Sequence, residues 1–487
     1  MNDRQSAQAN RANAVTLLPV VLIFSNLLSV LTQVLVPHLL VPDEYLGFST
    51  AWAYGQFVAA ALFEWLRLSA LRFWEGADAD QTRMRRASML VSATGISLAL
   101  LALSLIAYGL NVLAGIPVLL SVLLFYARCQ GMFDFGQARN RALGLHGPFV
   151  LAWSTRSILG LIFALVAAYL TGSGTQTVLA IALSYQVILF WRGSIARSIH
   201  ERHNVDRATL GHLLHFGLFM ASANALGLLF PAVVRSLGVL MLPDDQAGGL
   251  ALAFDYLQKI VGLSGLAVNI IVAQQSFRAA EFGTADQQLK QIRRQMLVPP
   301  AFILLSATGF TAVQGALAPL LIPHAFLPSY LTAVHYAAAA STIIAIRMYA
   351  LDPLFVMSGA TRFAPVGPTV TLLLCIAVAV LLDAAGVSGY HAIGWGAIIG
   401  TAAGSVLSYL ALRDKLTLPA VGREFAALGL GTATAIGAAA LLPDAPIWTG
   451  FFFKGALVSV VMAVALAYAL RKELVVLTHH LRQRPRA

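Results

Sequence analysis

Val41-Pro42-Asp43-Glu44-Tyr45-Leu46-Gly47 lies between two long apolar runs, and Leu242-Pro243-Asp244-Asp245-Gln246-Ala247-Gly248 lies between two others 201 residues later. An aromatic residue and a glutamine follow each stretch, Tyr54 and Gln56 in the first copy and Tyr256 and Gln258 in the second. A duplicated block of six helices in parallel orientation explains this spacing, and a chance match of the Pro-acid-acid triplet is the alternative. Two such lobes are an architecture of membrane transporters.

The composition excludes an ordinary soluble protein. Of 487 residues, 59% are hydrophobic and 11% are charged, and the mean hydropathy is +0.77. Soluble domains carry roughly 25% charged residues. The net charge of +11 is spread over short segments between apolar runs, so it predicts no nucleic-acid partner.

Apolar runs of about the 20 residues that cross a bilayer as a helix recur along the whole chain. We predict an all-α polytopic membrane protein with about fourteen transmembrane helices. The predicted spans are 14–40, 48–71, 88–108, 115–136, 148–170, 176–191, 213–239, 249–273, 296–322, 333–358, 366–385, 391–411, 424–442 and 450–470. They form a first six-helix lobe in 1–212, a second in 213–423, and an extra helix pair with a tail in 424–487.

Loops that contain lysine or arginine alternate along the chain with loops that contain neither. These basic residues occur in 73–87, 137–147, 192–212, 274–295, 359–364, 412–423 and both termini, whereas the loops between these segments contain none. Because basic loops stay on the inner side of a membrane, we predict that both termini face the cytoplasm. The first apolar run is too long for a signal-peptide core and is predicted to be an uncleaved helix.

The loop Pro42-Asp43-Glu44-Tyr45-Leu46-Gly47 and the following helix with Tyr54, Gln56, Phe57 and Phe63 resemble the opening of the polysaccharide (Wzx-like) flippases. This family belongs to the multidrug/oligosaccharidyl-lipid/polysaccharide exporter superfamily. The chain departs from it by Leu46, inserted before the glycine, and by fourteen spans where many members have twelve.

The resemblance implies a transporter of the bacterial cytoplasmic (inner) membrane. Such a protein moves an oligosaccharide, linked by pyrophosphate to a polyprenol, from the inner to the outer leaflet by alternating access. It serves surface polysaccharide, lipopolysaccharide or exopolysaccharide synthesis. No covalent bond of the cargo changes, so neither an enzymatic activity nor a cofactor is expected. The expected partners are the lipid-linked glycan, membrane lipids, a polysaccharide polymerase and glycosyltransferases.

Basic residues inside the spans are the candidates for binding an anionic pyrophosphate, because charges in a membrane are costly and usually face a cavity or a partner. Arginine suits the task because its planar fork can bond two oxygens at once. The predicted substrate-binding residues are Lys259, Arg347, Arg128, Arg67 and Arg235. Lys259 and Arg347 are predicted to form one wall of the site, because they lie furthest from the ends of their spans.

Each of three candidates has a structural alternative, because an acid lies near it in the chain. Glu64 could neutralise Arg67, Asp255 could neutralise Lys259, and Asp352 could neutralise Arg347.

The predicted twelfth helix carries a stripe of small residues. Gly396, Gly400 and Gly404 lie along one face and let a neighbouring helix approach closely. Packing inside the bundle is the expected role of the stripe, and a dimer interface is the alternative.

Three other functions remain open. A cation-coupled multidrug exporter has the same fold, although the first span contains no acid. A peptidoglycan-precursor flippase also fits the fourteen spans. A membrane polysaccharide polymerase or ligase fits less well, because such enzymes have a large outer loop. Neither the two cysteines nor the histidines have a metal-binding spacing, so no metal site is predicted.

Overall fold

The computed structural model describes residues 21, 23–75, 78–191, 205–442 and 447–471. In these ranges the chain forms fourteen helices, one for each predicted span, and no strand. The predicted all-α polytopic fold is therefore confirmed. By its internal contacts the chain divides into two compact units, residues 1–251 and 252–487.

The helices are numbered here in chain order. The first unit contains α1 (Ile23–His38), α2 (Pro42–Phe73), α3 (Ala79–Ala114), α4 (Val118–Ala142), α5 (His146–Thr171), α6 (Gly174–Trp191) and α7 (Arg207–Met241). Helix α8 (Asp244–Phe282) begins in the first unit and continues in the second. The second unit adds α9 (Ala285–Leu321), α10 (Leu327–Met357), α11 (Val366–Ala384), α12 (Gly389–Arg413), α13 (Gly422–Leu441) and α14 (Ile447–Ala469).

Most of these helices are suited to a lipid environment. Eleven are long and apolar enough to cross a membrane, and α1 and α6 are shorter apolar helices. Large apolar side chains such as Leu113, Leu240 and Leu430 are more than two-thirds exposed. A water-soluble protein rarely presents so much apolar surface, whereas a lipid-facing belt requires it. The chain is therefore a multi-pass membrane protein. The remaining helix, α2, carries five charged side chains and is not among these.

Polar side chains cap the helices that follow the basic loops. Asp78 accepts hydrogen bonds from the Asp80 and Gln81 N–H groups at the start of α3. Asp206 does the same at the start of α7, where the Thr209 hydroxyl and N–H hold the pKa of its carboxyl below the ordinary value. Such caps satisfy N–H groups that have no partner within the helix, so they define where these helices begin.

The repeated loop caps a distant helix. Helix α2 begins at Pro42, and the carboxylate of Glu44 in its first turn accepts a hydrogen bond of 2.7 Å from the Gly174 N–H. Gly174 is the first residue of α6, where a negative charge is favourable next to the helix N-terminus. A side chain at 174 would collide with the Glu44 backbone, so glycine is required there. The acid of the loop motif thus has a structural role in the first unit.

Glu44→Ala is expected to lower the free energy of unfolding by about 1 kcal/mol, because the start of α6 loses its cap. Asp43→Ala is the matched control, since Asp43 is the exposed acid next to it in the same turn. Thermal unfolding of the detergent-solubilised protein measures both effects. Equal losses in the two variants would show that the motif acts only through its charge.

Helix α2 is central to the first unit. It packs against α4 and α7 and also contacts α3 and α6. Phe63, Leu66 and Ala70 of α2 join Met89 of α3 and Ala127 of α4 in one buried apolar cluster. A helix surrounded by other helices needs less lipid-facing surface, so α2 can carry charged residues such as Glu64 and Arg67 in its middle.

The glycine stripe holds the second unit together. A Cβ atom at Gly396 or Gly400 would lie 2.5–2.6 Å from the carbonyl oxygen of Cys375 or Thr371, both on α11. Helices α11 and α12 can approach this closely only because glycine has no side chain. The predicted packing role inside the bundle is confirmed.

The extra helix pair packs on α9. Ala301 of α9 is buried with Leu428 of α13 and Ala469 of α14. Arg293 of α9 also forms an ion pair of 2.6 Å with Glu424 of α13, and both side chains are largely buried. The C-terminal pair is therefore an integral part of the second unit.

Candidate functional site

A cavity of about 220 Å³ lies within the first unit, between α2, α4, α5 and α7. Half of its lining comes from one face of α2, which explains why this helix carries charged and amide side chains between its apolar residues. The lining residues are Gln56, Ala59, Ala60, Phe63, Glu64, Arg67, Gln130, Gly131, Asp134, Trp153, Asn224 and Leu228.

Arg67 brings a positive charge to this cavity. Its Nε donates to Glu64 Oε2 at 2.6 Å, and its Nη2 donates to Glu64 Oε1 in a second contact. The predicted pairing of these residues is therefore confirmed. Glu64 occupies only one edge of the guanidinium. No described residue accepts a hydrogen bond from Nη1, and the Arg67 side chain is 35% exposed, so it can still bond a molecule in the cavity.

Neutral polar groups surround the ion pair. Gln56, Gln130 and Asn224 carry amides that donate and accept hydrogen bonds. The Gln130 Oε1 and Trp153 Nε1 atoms are buried and have no hydrogen-bond partner among the described residues. Because buried polar groups are costly without partners, the cavity is built for water or a polar ligand.

Trp153 also offers an aromatic face next to these polar groups. Its ring contacts Phe133, with ring centroids 5.5 Å apart, and Phe149, with centroids 6.0 Å apart. These contacts hold the indole in place. Amides beside a fixed aromatic ring can bind sugar hydroxyls while the ring packs on the apolar face of the sugar.

Asp134 gives the cavity a second acid. It lies close enough to Arg67 and Arg156 to interact with both charges, although no ion pair within 4.0 Å joins it to either in the described ranges. The cavity therefore holds charges of both signs, with the base Arg67 and the acids Glu64 and Asp134 among its described lining residues.

The other predicted residues of the first unit lie away from this cavity. Arg128 is 7% exposed and donates to Ser97 Oγ at 3.1 Å and to Gln186 Oε1 at 2.7 Å, so it joins α4 to α3 and α6. Arg235 is 4% exposed and its Nε donates to Ser49 Oγ at 2.5 Å, joining α7 to α2. Only Arg67 of these three lines the cavity.

In the second unit, Lys259 is half-buried on α8 and Arg347 is 1% exposed on α10. Arg347 Nη1 donates to Thr371 Oγ1 at 3.2 Å. No ion pair joins Arg347 to Asp352 in the part of the chain described here, and both Arg347 Nε and Asp352 Oδ1 lack a hydrogen-bond partner there. The role of Lys259 and Arg347 in cargo binding stays a prediction.

Arg347 begins a π-helical turn, Arg347–Leu351, just before Pro353. Proline has no N–H, and its ring would collide with the carbonyl four residues earlier in a regular helix. The wider turn accommodates the proline within α10.

Sequence reasoning missed Gln56, Gln130, Trp153 and Asn224 as site residues, because it considered charged residues only. A usable signal was present in α2, whose polarity keeps it below the hydropathy of an ordinary spanning helix. A polar helix in a chain that is otherwise apolar is expected to line a cavity.

No family model matches the chain, and no curated protein matches its sequence. Solved structures do match it. The lipid II flippase MurJ, in an inward closed conformation, has a TM-score of 0.69 at 14% identity, over 93% of this chain and 99% of that one. An outward-facing MATE multidrug transporter of the MOP superfamily has a TM-score of 0.56 at 15% identity, over 82% of this chain and 95% of that one. The MATE transporter VcmN of Vibrio cholerae has a TM-score of 0.52 at 14% identity, over 84% of this chain and 98% of that one.

The chain has the fold of these transporters. The match covers 93% of this chain in the comparison with MurJ and 82–84% in those with the two MATE transporters. At such low identity the likeness concerns the fold alone. The fold expected from the sequence-based resemblance is confirmed.

Proposed function

We propose that the chain is a flippase that moves a polyprenol-pyrophosphate-linked oligosaccharide from the inner to the outer leaflet by alternating access. The observation that carries this proposal is the first-unit cavity, which combines the Arg67 guanidinium with three amides and an indole. The fold, shared with a flippase and with drug transporters, supports transport as the activity.

The chemistry of the cavity matches both parts of such a headgroup. A pyrophosphate oxygen can accept hydrogen bonds from the edge of Arg67 that Glu64 leaves open. Sugar hydroxyls can bond to Gln56, Gln130 and Asn224 and displace the water that would otherwise satisfy these amides. We also propose that Lys259 and Arg347 contribute cationic groups from the second unit, as predicted from their depth in the membrane.

The proposed location, orientation and lobes of the protein are those predicted from its sequence. The protein lies in the bacterial cytoplasmic membrane with both termini inside, and its lobes are residues 1–212 and 213–423 with the pair in 424–487. The polysaccharide polymerase and the glycosyltransferases of the same pathway are its proposed partners.

Two alternatives each have an observation in their favour. The higher TM-score with the lipid II flippase, 0.69 against 0.56 for a MATE transporter, favours a peptidoglycan-precursor flippase. The two acids in the cavity, Glu64 and Asp134, favour an exporter of cationic drugs, since a cation could pair with them.

Deletion of the gene is expected to remove a surface or exported polysaccharide while the cells continue to grow. Polysaccharide is measured in the deletion strain and in the same strain carrying the gene on a plasmid. The deletion is repeated in a strain that cannot begin polysaccharide synthesis, so that blocked intermediates do not accumulate. Death of that second strain would establish the peptidoglycan alternative. Drug sensitivity with unchanged polysaccharide would establish the drug exporter.

A further inference from the structure

A second, smaller cavity of about 20 Å³ lies in the first unit between α1, α2, α5 and α6. It shares no lining residue with the larger cavity. It has room for one or two particles of the size of a water molecule. Its lining residues are Ser25, Ser29, Thr32, Trp52, Arg156, Ser157, Gly160, Leu161 and Ile181.

Hydroxyl groups converge on this cavity from two helices. Ser25, Ser29 and Thr32 are spaced by four and three residues, so they share one face of α1. In apolar helices such hydroxyls normally donate to the carbonyl four residues earlier, as Thr32 does to Leu28 at 2.9 Å. Ser25 and Ser157 do not: both are at least 95% buried, and neither hydroxyl has a hydrogen-bond partner among the described residues.

Arg156 adds a positive charge to these donors. Its Nη2 donates to the Tyr185 hydroxyl, and its Cζ lies 4.0 Å from the centre of the Tyr185 ring. These contacts leave the Nε atom buried and without a partner in the part of the chain that the structure describes. No acid among the described residues lines this cavity, and Asp134, the acid that interacts with Arg156, lines the other one.

We propose that this cavity binds a small monovalent anion such as chloride, held by Arg156 Nε and by the hydroxyls of Ser25 and Ser157. Each of these groups donates a hydrogen bond, and the guanidinium supplies the balancing charge. A water molecule could bond to the same hydroxyls, which both donate and accept, but it would leave the charge of Arg156 without a counter-charge in this cavity. The anion thus ties α1 to α5, and it stabilises the first unit by binding only to the folded state.

The proposal is tested on the purified full chain in detergent, with chloride and bromide as probes. Replacing sodium gluconate by sodium chloride at constant ionic strength is expected to raise the melting temperature by about 5 °C at saturation. In crystals grown in bromide, an anomalous peak is expected within hydrogen-bond distance of Ser25 Oγ, Ser157 Oγ and Arg156 Nε. The rise in melting temperature is expected to disappear in Ser25→Ala/Ser157→Ala and in Arg156→Gln.

Ser104→Ala is the matched control, because Ser104 is a buried serine of the same unit whose hydroxyl is bonded to Ser121. It is expected to keep the full response to chloride. The paired serine variant retains Arg156 and removes only two oxygen atoms, so the test stands even if Arg156→Gln does not fold. Equal melting temperatures in chloride and gluconate, or density for a bound water only with no bromide peak, would overturn the proposal.

Discussion

Arg67→Ala is expected to reduce export of the lipid-linked glycan at least about tenfold while the protein reaches the membrane in normal amount. Among the described residues, the substitution removes the only guanidinium that lines the larger cavity of the first unit, and with it the group proposed to bond the pyrophosphate. Export is measured as surface polysaccharide in the deletion strain that carries the variant gene.

Arg72→Ala is the matched control, because Arg72 lies five residues further along α2 and is exposed. It is expected to export normally. The variant Glu64→Ala/Arg67→Ala separates binding from structure. If Arg67 binds cargo, removing Glu64 as well does not restore export. If the ion pair is structural only, the single change lowers the amount of folded protein and the paired change recovers it, which would contradict the site. The same assay on Lys259→Ala and Arg347→Ala tests the second-unit prediction.

Gly400→Ala is expected to lower the free energy of unfolding by about 1–3 kcal/mol, although alanine is the better helix former. The new Cβ atom would lie 2.5 Å from the Thr371 oxygen and 2.8 Å from the Cys375 nitrogen. Both contacts are with the backbone of α11, which cannot move aside as a flexible side chain can. Unfolding of the solubilised protein by heat or denaturant measures the loss.

Gly429→Ala on α13 is the control for this second change, because no atom of the described residues lies within 4 Å of a Cβ atom built there. It is expected to be neutral or to stabilise the helix by up to about 1 kcal/mol. A loss in Gly429→Ala as large as that in Gly400→Ala would mean that close helix packing is not the reason for the glycine at 400.

The fourteen helices could be predicted because each needs only local information. A run of about 20 apolar residues must become a helix in lipid, whatever its neighbours are. The Glu64–Arg67 pair and the glycine stripe were predictable for the same reason, since residues three or four apart lie on one face of a helix. Both signals depend on spacing along a single helix.

The lining of the candidate site depended on contacts between distant parts of the chain. In the sequence, Arg67 and Arg128 are both arginines in apolar helices, but Arg128 is bonded to Ser97 and Gln186 whereas Arg67 faces a cavity. Likewise, nothing near Glu44 in the chain shows that it caps α6 at Gly174, 130 residues away.

The sequence by itself therefore determined the number and order of the helices, the membrane environment and the pairs that lie within one helix. Only the tertiary structure decided which buried charges are satisfied by protein and which face a cavity. The physical reason is that hydropathy measures the cost of placing a residue in lipid. The compensation for a buried charge such as Arg128 or Arg235 comes instead from side chains that meet only after the helices have packed.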